Sequence, residues 1–324
     1  MLRYIGKRLL LLIPVLIGIT IIVQLLINIT PGDPAKLMLG TKATPEKVEE
    51  LREELGLNDP LIVRYIRYMK GVFHGDFGKS FTTKRPVIEE MWSRFPYTLR
   101  LVTIGLLLSL CVGVPIGVFA ATHQYSWKDN VAMFFALFFV SMPSFWFALM
   151  LIQKLGVELR LLPIAGVKTW KGWILPVVTM ALSGMSIIAR QTRSNMLEVI
   201  RQDYITTARA KGLSEGRVLY VHALKNAIIP VIVVTGGMFG VLLGGSMISE
   251  VIFSIPGLGL YTMTGLLNRD YPVIQSSVLI LSTLFSLVIL IVDIIFAFVD
   301  PRIRSQYTRE KRKKQEAKKG GEGA

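Results

Sequence analysis

"ITTARAKGLSEGRVLYVHALKNAIIP", residues 205 to 230, is polar and basic, is broken at Gly212, and lies between long runs of Leu, Ile, Val and Phe. The wider segment 190 to 226 carries seven Lys or Arg residues. Placing them in lipid would cost on the order of 15 to 25 kcal/mol on the translocon insertion scale. The segment therefore stays in water, and the apolar runs that flank it are separate membrane crossings. Alanines and long side chains favour helix on both sides of Lys211-Gly212, glycine permits a sharp reversal there, and Ser214 can cap the second helix. Ile205, Ala208 and Leu213 share one side, a pattern that suggests a helix-turn-helix knob inserted into a groove on another protein. A basic helix lying flat on the membrane fits the charge but leaves the glycine break unaccounted for.

Outward from this stretch, the chain of 324 residues is 52% hydrophobic with mean hydropathy +0.52, more than a soluble core requires. Six runs approach or reach the roughly 17 to 25 residues that cross a bilayer as helix. They are residues 9 to 29, 99 to 121, 131 to 153, 173 to 189, 227 to 248 and 273 to 299, the fourth being the shortest. Arg3, Lys7 and Arg8 before the first run resemble a signal peptide. The run is too long for that, and "NITPGDP" offers no small-x-small cleavage site, so an anchor is expected.

An all-α polytopic protein with six spans has both termini on one side. The N-terminal arm, the 122 to 130 loop, the 190 to 226 loop and the tail after Asp300 hold 20 Lys or Arg, against five in the two short opposite loops. The face with 20 is cytoplasmic by the positive-inside rule. Four of those five, Lys154, Arg160, Lys168 and Lys171, fall in one loop, which runs against the rule. Segment 30 to 98, with 11 basic and 10 acidic residues, is too long to vote. The net charge of +15 thus stems from topology and calls for no nucleic acid; the basic tail 301 to 324 can touch anionic lipid. Cys111 is the only cysteine, so neither an internal disulfide nor a cysteine metal site is available.

Segment 30 to 98 reads as helical. Thr44 caps a helix with Pro45 in its first turn and Gly56 past its end. A second helix, 60 to 73, carries an apolar stripe of Leu61, Ile62, Tyr65, Ile66, Met69, Val72 and Phe73, with Arg64, Arg67 and Lys70 mostly off it. Such a segment is either a cap on the outer membrane face or a docking surface for an external partner. "GDFGKS" (75 to 80) resembles the end of a phosphate-binding loop, but Phe73 stands where that motif needs glycine. The other outer loop carries Pro256, Gly257, Gly259, Arg269 and Asp270; it is either a connector or a segment folded back to close the mouth of a pathway.

Within the spans, Gly236, Gly240 and Gly244 form overlapping G-x-x-x-G steps and Gly113 and Gly117 a further one, which lets backbones approach closely, in this chain or toward another subunit. Pro115 and Pro143 are expected to bend their helices. Asp293 is the one acid well inside a span; a structural ion pair near the cytoplasmic interface is favoured over a proton relay, which a single acid serves poorly. His74, His123 and His222 form no H-E-x-x-H, and no nucleophile has an evident base. A metal site, a cofactor and a catalytic constellation are therefore not expected. An ion-coupled transporter would want several intramembrane acids.

"DYITTARAKGLSEGRVLYVHALKNAIIPVI" (203 to 232) resembles the EAA loop of integral-membrane permeases in binding-protein-dependent ABC importers, of the oligopeptide/dipeptide/nickel branch. "PGDP", "GDFGKS", "SMPSFWF", "RSNMLEV", "FSIPGLG", "RDYPV" and "DPRI" extend the likeness over nearly the whole chain. In the general motif E-A-A-x-x-x-G-x9-I-x-L-P, Gly212 takes the central glycine, Ala208 the second alanine and Leu224 the leucine. Thr206, Thr207, His222 and Lys225 replace the glutamate, first alanine, isoleucine and proline, with a proline coming later at Pro230. The resemblance implies a type I importer fold, with a first helix plus external segment over 1 to 94 and a permease core over 95 to 300. It implies a coupling loop of Asp203, Tyr204, Thr206, Thr207, Ala208, Arg209, Ala210, Lys211, Gly212, Leu213, Ser214 and Glu215. It also implies the partners: a second, homologous permease in a heterodimer, two ATP-binding cassette subunits that hydrolyse ATP, and an extracytoplasmic solute-binding protein. The expected location is a bacterial or archaeal plasma membrane, and the expected cargo is a peptide, a nickel chelate or another small solute.

Overall fold

The computed structural model describes residues 2 to 299; the basic tail 301 to 324 and the side chain of Asp293 lie outside the described residues. Among the described residues the chain is helical, with one isolated bridge between Lys79 and Pro86 and no extended strand. Helix α1 (Leu2–Ile29) is followed by the short α2 (Pro34–Leu39), α3 (Pro45–Glu54) and α4 (Leu61–Phe73). The long helices α5 (Val87–Thr122), α8 (Ile174–Ile200), α11 (Leu224–Ile252) and α13 (Tyr271–Val299) form the bundle with α1. Between α5 and α8 lie α6 (Trp127–Ser141) and α7 (Ser144–Leu151), the latter running on as a π-helical stretch, Ile152–Glu158. Between α8 and α11 lie α9 (Asp203–Ala210) and α10 (Glu215–Arg217); α12 (Leu258–Leu267) precedes α13.

Among the described residues five helices are long and apolar enough to cross a membrane, or six with α6 and α7 taken as one crossing. That pair is bent by 98°, at Met142-Pro143, a much sharper turn than a proline kink. Proline lacks the amide hydrogen that would continue the ladder and biases the residue before it away from helix; Met142 is extended at ψ 130 and Pro143 becomes the N-cap of α7. The two arms nevertheless traverse the bundle. Asp129, in the first turn of α6, pairs with Arg193 near the last turns of α8. Beyond α7, Gly166 donates its amide to Phe253, just past the end of α11. Pro115, by contrast, leaves α5 as one helix.

The apolar run at 173 to 189 continues as helix to Ile200. Arg190, Gln191, Arg193 and Asn195 end the hydropathy signal, yet the turn they occupy is packed, with Thr192, Asn195 and Met196 buried. Helices α5 and α8 are the central pair, and small residues on α5 let them meet. A Cβ at Gly113 would stand 2.8 Å from the Met185 carbonyl, and one at Gly117 would stand 2.5 Å from the Ala189 carbonyl and from Thr192. Gly105 and Ser109 extend that groove: Gly105 faces Met180, and the Ser109 hydroxyl donates to the Gly105 and Ala181 carbonyls at 2.8 and 2.9 Å. Gly236 and Gly240 receive Val292 and Phe285 of α13, whereas the space beside Gly244 is open. Four of the five expected packing glycines therefore serve contacts inside this chain.

Candidate functional site

At one end of the bundle α9 stands as a knob. Ile205 and Ala208 are buried among Val118, Ala121, Met196, Val218, Ala223 and Ala227, so this apolar side roots the knob in the chain's own core. The polar side of the knob is the one the chain leaves uncovered. Asp203, Tyr204, Thr206, Thr207, Arg209, Ala210, Lys211, Gly212, Ser214 and Glu215 are exposed, and Leu213 is half-buried. Gly212 takes φ +78 with nothing within 4 Å of an added Cβ; glycine is needed there for conformation, not for space.

Across that turn Arg209 donates to Glu215 through Nε at 3.1 Å and Nη2 at 2.7 Å. Ser214 occupies the N-cap position of α10 without a side-chain cap bond. From α11, Asn226 donates to the Tyr204 hydroxyl at 2.8 Å, a second strut for the knob. Beside it the Arg193 guanidinium holds Asp129 through two bonds of 2.6 Å, and Asn195 donates to the Ala227 carbonyl. Asp129 is buried and also accepts from the Tyr125 amide. Sequence reasoning missed this pair; Ser126 three residues before Asp129, with Ser126 as N-cap, was the available signal.

At the opposite end two buried carboxylates hold the loop between α11 and α13. Glu250 Oε1 accepts from Thr98 at 2.7 Å and from Ser246 at 3.1 Å, and Oε2 accepts from the Leu260 amide at 3.0 Å. Thr98 in turn accepts from the Leu258 amide at 2.8 Å. A Cβ at Gly257 would collide with the Glu250 carboxyl group, and one at Gly259 with the Met247 backbone. Pro256 lies in the reversal between α11 and α12. Glu250 was invisible in the sequence because it falls at the end of an apolar run, where an acid looks like a boundary.

Asp270 is the second carboxylate, 1% exposed. It accepts from the Ser80 hydroxyl at 2.6 Å and from the Phe81 and Thr82 amides at 3.0 Å each. The turn that begins at Ser80, the last residue of "GDFGKS", thus holds a carboxylate of the same molecule. Arg269, at φ 52, lays its guanidinium where a side chain at Gly32 would stand. "PGDP", "GDFGKS" and "RDYPV", far apart in sequence, meet at this one place. Tyr261 of α12 lies under the Arg94 guanidinium, 4.7 Å from its ring centre. Burial, reinforced by the charges of Asp270 and Glu90, pushes its hydroxyl up to about 12, so the ring remains neutral throughout the physiological range.

Among the described residues no group of three or more His, Cys, Asp or Glu is placed to hold a metal. The two constellations anchor and orient helices; neither pairs a nucleophile with a base.

Residues 113 to 305 match the family described as binding-protein-dependent transport system inner membrane component, and residues 1 to 102 match the N-terminal region of such components. The chain is 44% identical to the dipeptide transport system permease protein DppB of Alkalihalophilus pseudofirmus, over 94% of this chain and 100% of that one. It is 41% identical to the glutathione transport system permease protein GsiC of Escherichia coli, over 94% and 99% respectively. Among solved structures, the inward-facing MetNI methionine ABC transporter superposes with a TM-score of 0.56 at 19% identity, over 65% of this chain and 96% of the other; that likeness speaks for the fold. With both regions matched and close relatives aligned from end to end, the chain belongs to the multi-pass membrane permeases of binding-protein-dependent ABC importers.

Proposed function

We propose that this permease forms half of the translocation pathway of an ATP-driven importer for peptides, with residues 203 to 215 as the joint to an ATP-binding subunit. A second, homologous permease completes the pathway, two cassette subunits hydrolyse ATP, and an external solute-binding protein delivers the cargo. The knob end faces the cytoplasm, as the distribution of Lys and Arg supports, and the membrane is the plasma membrane of a bacterium or archaeon. Peptide cargo is supported by the dipeptide and glutathione permeases at 44% and 41% identity; a nickel chelate or another small solute is the alternative within the same branch.

The observation that carries the reading is the rooting of α9. Its buried side is continuous with the core of α5, α8 and α11, and its polar side is free for a partner. A displacement of that partner therefore moves three spanning helices together. Reversing a 1:99 equilibrium between gate states to 99:1 takes about 5.5 kcal/mol of differential binding, and a loosely hinged loop would dissipate it. The clasps at Glu250 and Asp270 hold the outer loop as one rigid element that the bundle can tilt.

The test is Gly212→Pro. Proline fixes φ near −65°, against +78 at Gly212, in an exposed turn. Insertion and assembly persist, and substrate-stimulated ATP hydrolysis by the reconstituted complex is abolished. Stimulation equal to the wild type would refute the joint. Uptake of labelled dipeptides and of nickel chelates by the same complex separates the two cargo classes.

A further inference from the structure

Helix α4 divides into three sectors. Leu61, Tyr65, Tyr68 and Val72 lie on the side turned to the bundle and are half-buried. Ile62, Ile66 and Phe73, at 70%, 60% and 78% exposure, form a second stripe at i, i+4 and i+11. Arg67 and Lys70 lie on the third. The apolar stripe expected from the sequence is therefore two stripes, and one of them is mostly uncovered by the chain.

Its depth is given by its contacts. The Tyr65 hydroxyl is 3.0 Å from Thr20, nine residues before the end of α1, which is about 13 Å along the helix axis at 1.5 Å per residue. A tyrosine side chain is shorter than that, so the α4 backbone lies below the level of Ile29, where the apolar run of α1 ends. Four residues past α4, the Phe77 carbonyl accepts from Ser276, in the second turn of α13. One turn beyond Thr20, Gln24 of α1 is bonded to Gln275 of α13, which puts both helices at a common level. Helix α4 is thus held to α1 at Tyr65, and the segment after it is held to the second turn of α13.

We propose that α4 is an in-plane helix sunk into the leaflet at the clasp end of the bundle, with Ile62, Ile66 and Phe73 among acyl chains and Lys70 reaching up to phosphate headgroups. Three observations choose lipid as the occupant. The helix to which α4 is bonded at Thr20 itself crosses the bilayer, with Ile22, Leu26 and Ile29 exposed on its outward side. Its depth lies within the apolar run of α1. Lys70 borders the apolar stripe on one side, the arrangement that lets a long cationic side chain keep its head at the interface, and Arg67 beside it is paired with Asp59 at 2.6 Å.

The experiment uses the full-length chain with Cys111→Ala, in nanodiscs of phosphatidylethanolamine and phosphatidylglycerol. Single cysteines at Ile62→Cys, Ile66→Cys, Phe73→Cys and Lys70→Cys carry nitroxide labels. Labels at 62, 66 and 73 are expected to collide with oxygen and to lose collisions with an aqueous nickel chelate; the label at 70 shows the reverse. Nickel access at all four positions overturns the proposal. So does protection from both reagents, which marks a protein neighbour, or protection that arises only when the solute-binding protein and co-assembled permease are added. Because each label reads its own surroundings, a misfolded variant is recognised by loss of the contrast at 70, and bromolipid quenching of Ile66→Trp then decides between lipid and water.

Discussion

The Glu250 carboxyl group occupies the volume that a side chain at Gly257 would require. One residue supplies the acceptor and the other vacates the space for it, so their substitutions interact. Gly257→Ala forces overpacking, which typically costs about 1 to 3 kcal/mol. Glu250→Ala leaves the donors at Thr98 and Leu260 without an acceptor, at about 1 to 3 kcal/mol or more. Combined, the two should cost less than their sum, because the alanine at 250 opens room for the one at 257. Thermal unfolding of the four proteins in one detergent gives the coupling energy; strict additivity would show that the contact is not made.

Ser80→Ala removes one of three donors to Asp270 and leaves the two amides in place. A hydrogen bond to a charged group contributes about 1.5 to 3 kcal/mol, so the loss should fall in that range. Asp270→Ala strips the partner from all three donors and should be more damaging. Limited proteolysis between residues 75 and 86 reports the loosening directly, since that turn is held by the carboxylate. Equal cleavage of wild type and Asp270→Ala would remove the turn's assigned role.

Gly117 and Gly244 have the same sequence appearance and opposite surroundings. Gly117→Ala drives a methyl into the Ala189 carbonyl and Thr192, and about 1 to 3 kcal/mol is expected. Gly244→Ala meets open space, and replacing a helical glycine by alanine is worth roughly 0.5 to 1 kcal/mol in favour. The isolated chain should therefore be stabilised by the second change. If assembly with a second permease is lost in Gly244→Ala, that face belongs to the subunit interface.

Much of this was legible in the sequence, for reasons that can be named. The knob was readable because a charged segment cannot enter lipid and because a glycine between helical runs marks a reversal. The spans were readable because hydropathy is a property of long windows, and the fourth appeared short because the last turns of α8 bury polar side chains against other polar groups. What the sequence concealed is pairing. Asp270 and Ser80 are separated by 190 positions, and nothing local to either names the other. Glu250 and Thr98 are 152 apart. The direction of the α9 apolar side was concealed for a related reason: Ile205 and Ala208 look the same whether they face their own bundle or a neighbour's, and only the position of Val118 and Met196 decides.

The right-angled join at Met142-Pro143 makes α6 and α7 a crank. The first arm is bolted to α8 by Asp129 and Arg193, and the second leaves it at 98°. The second arm abuts the core at Ala148 and Leu151. The second arm thereby meets the bundle nearly at a right angle to the first, while each arm keeps its own helical ladder.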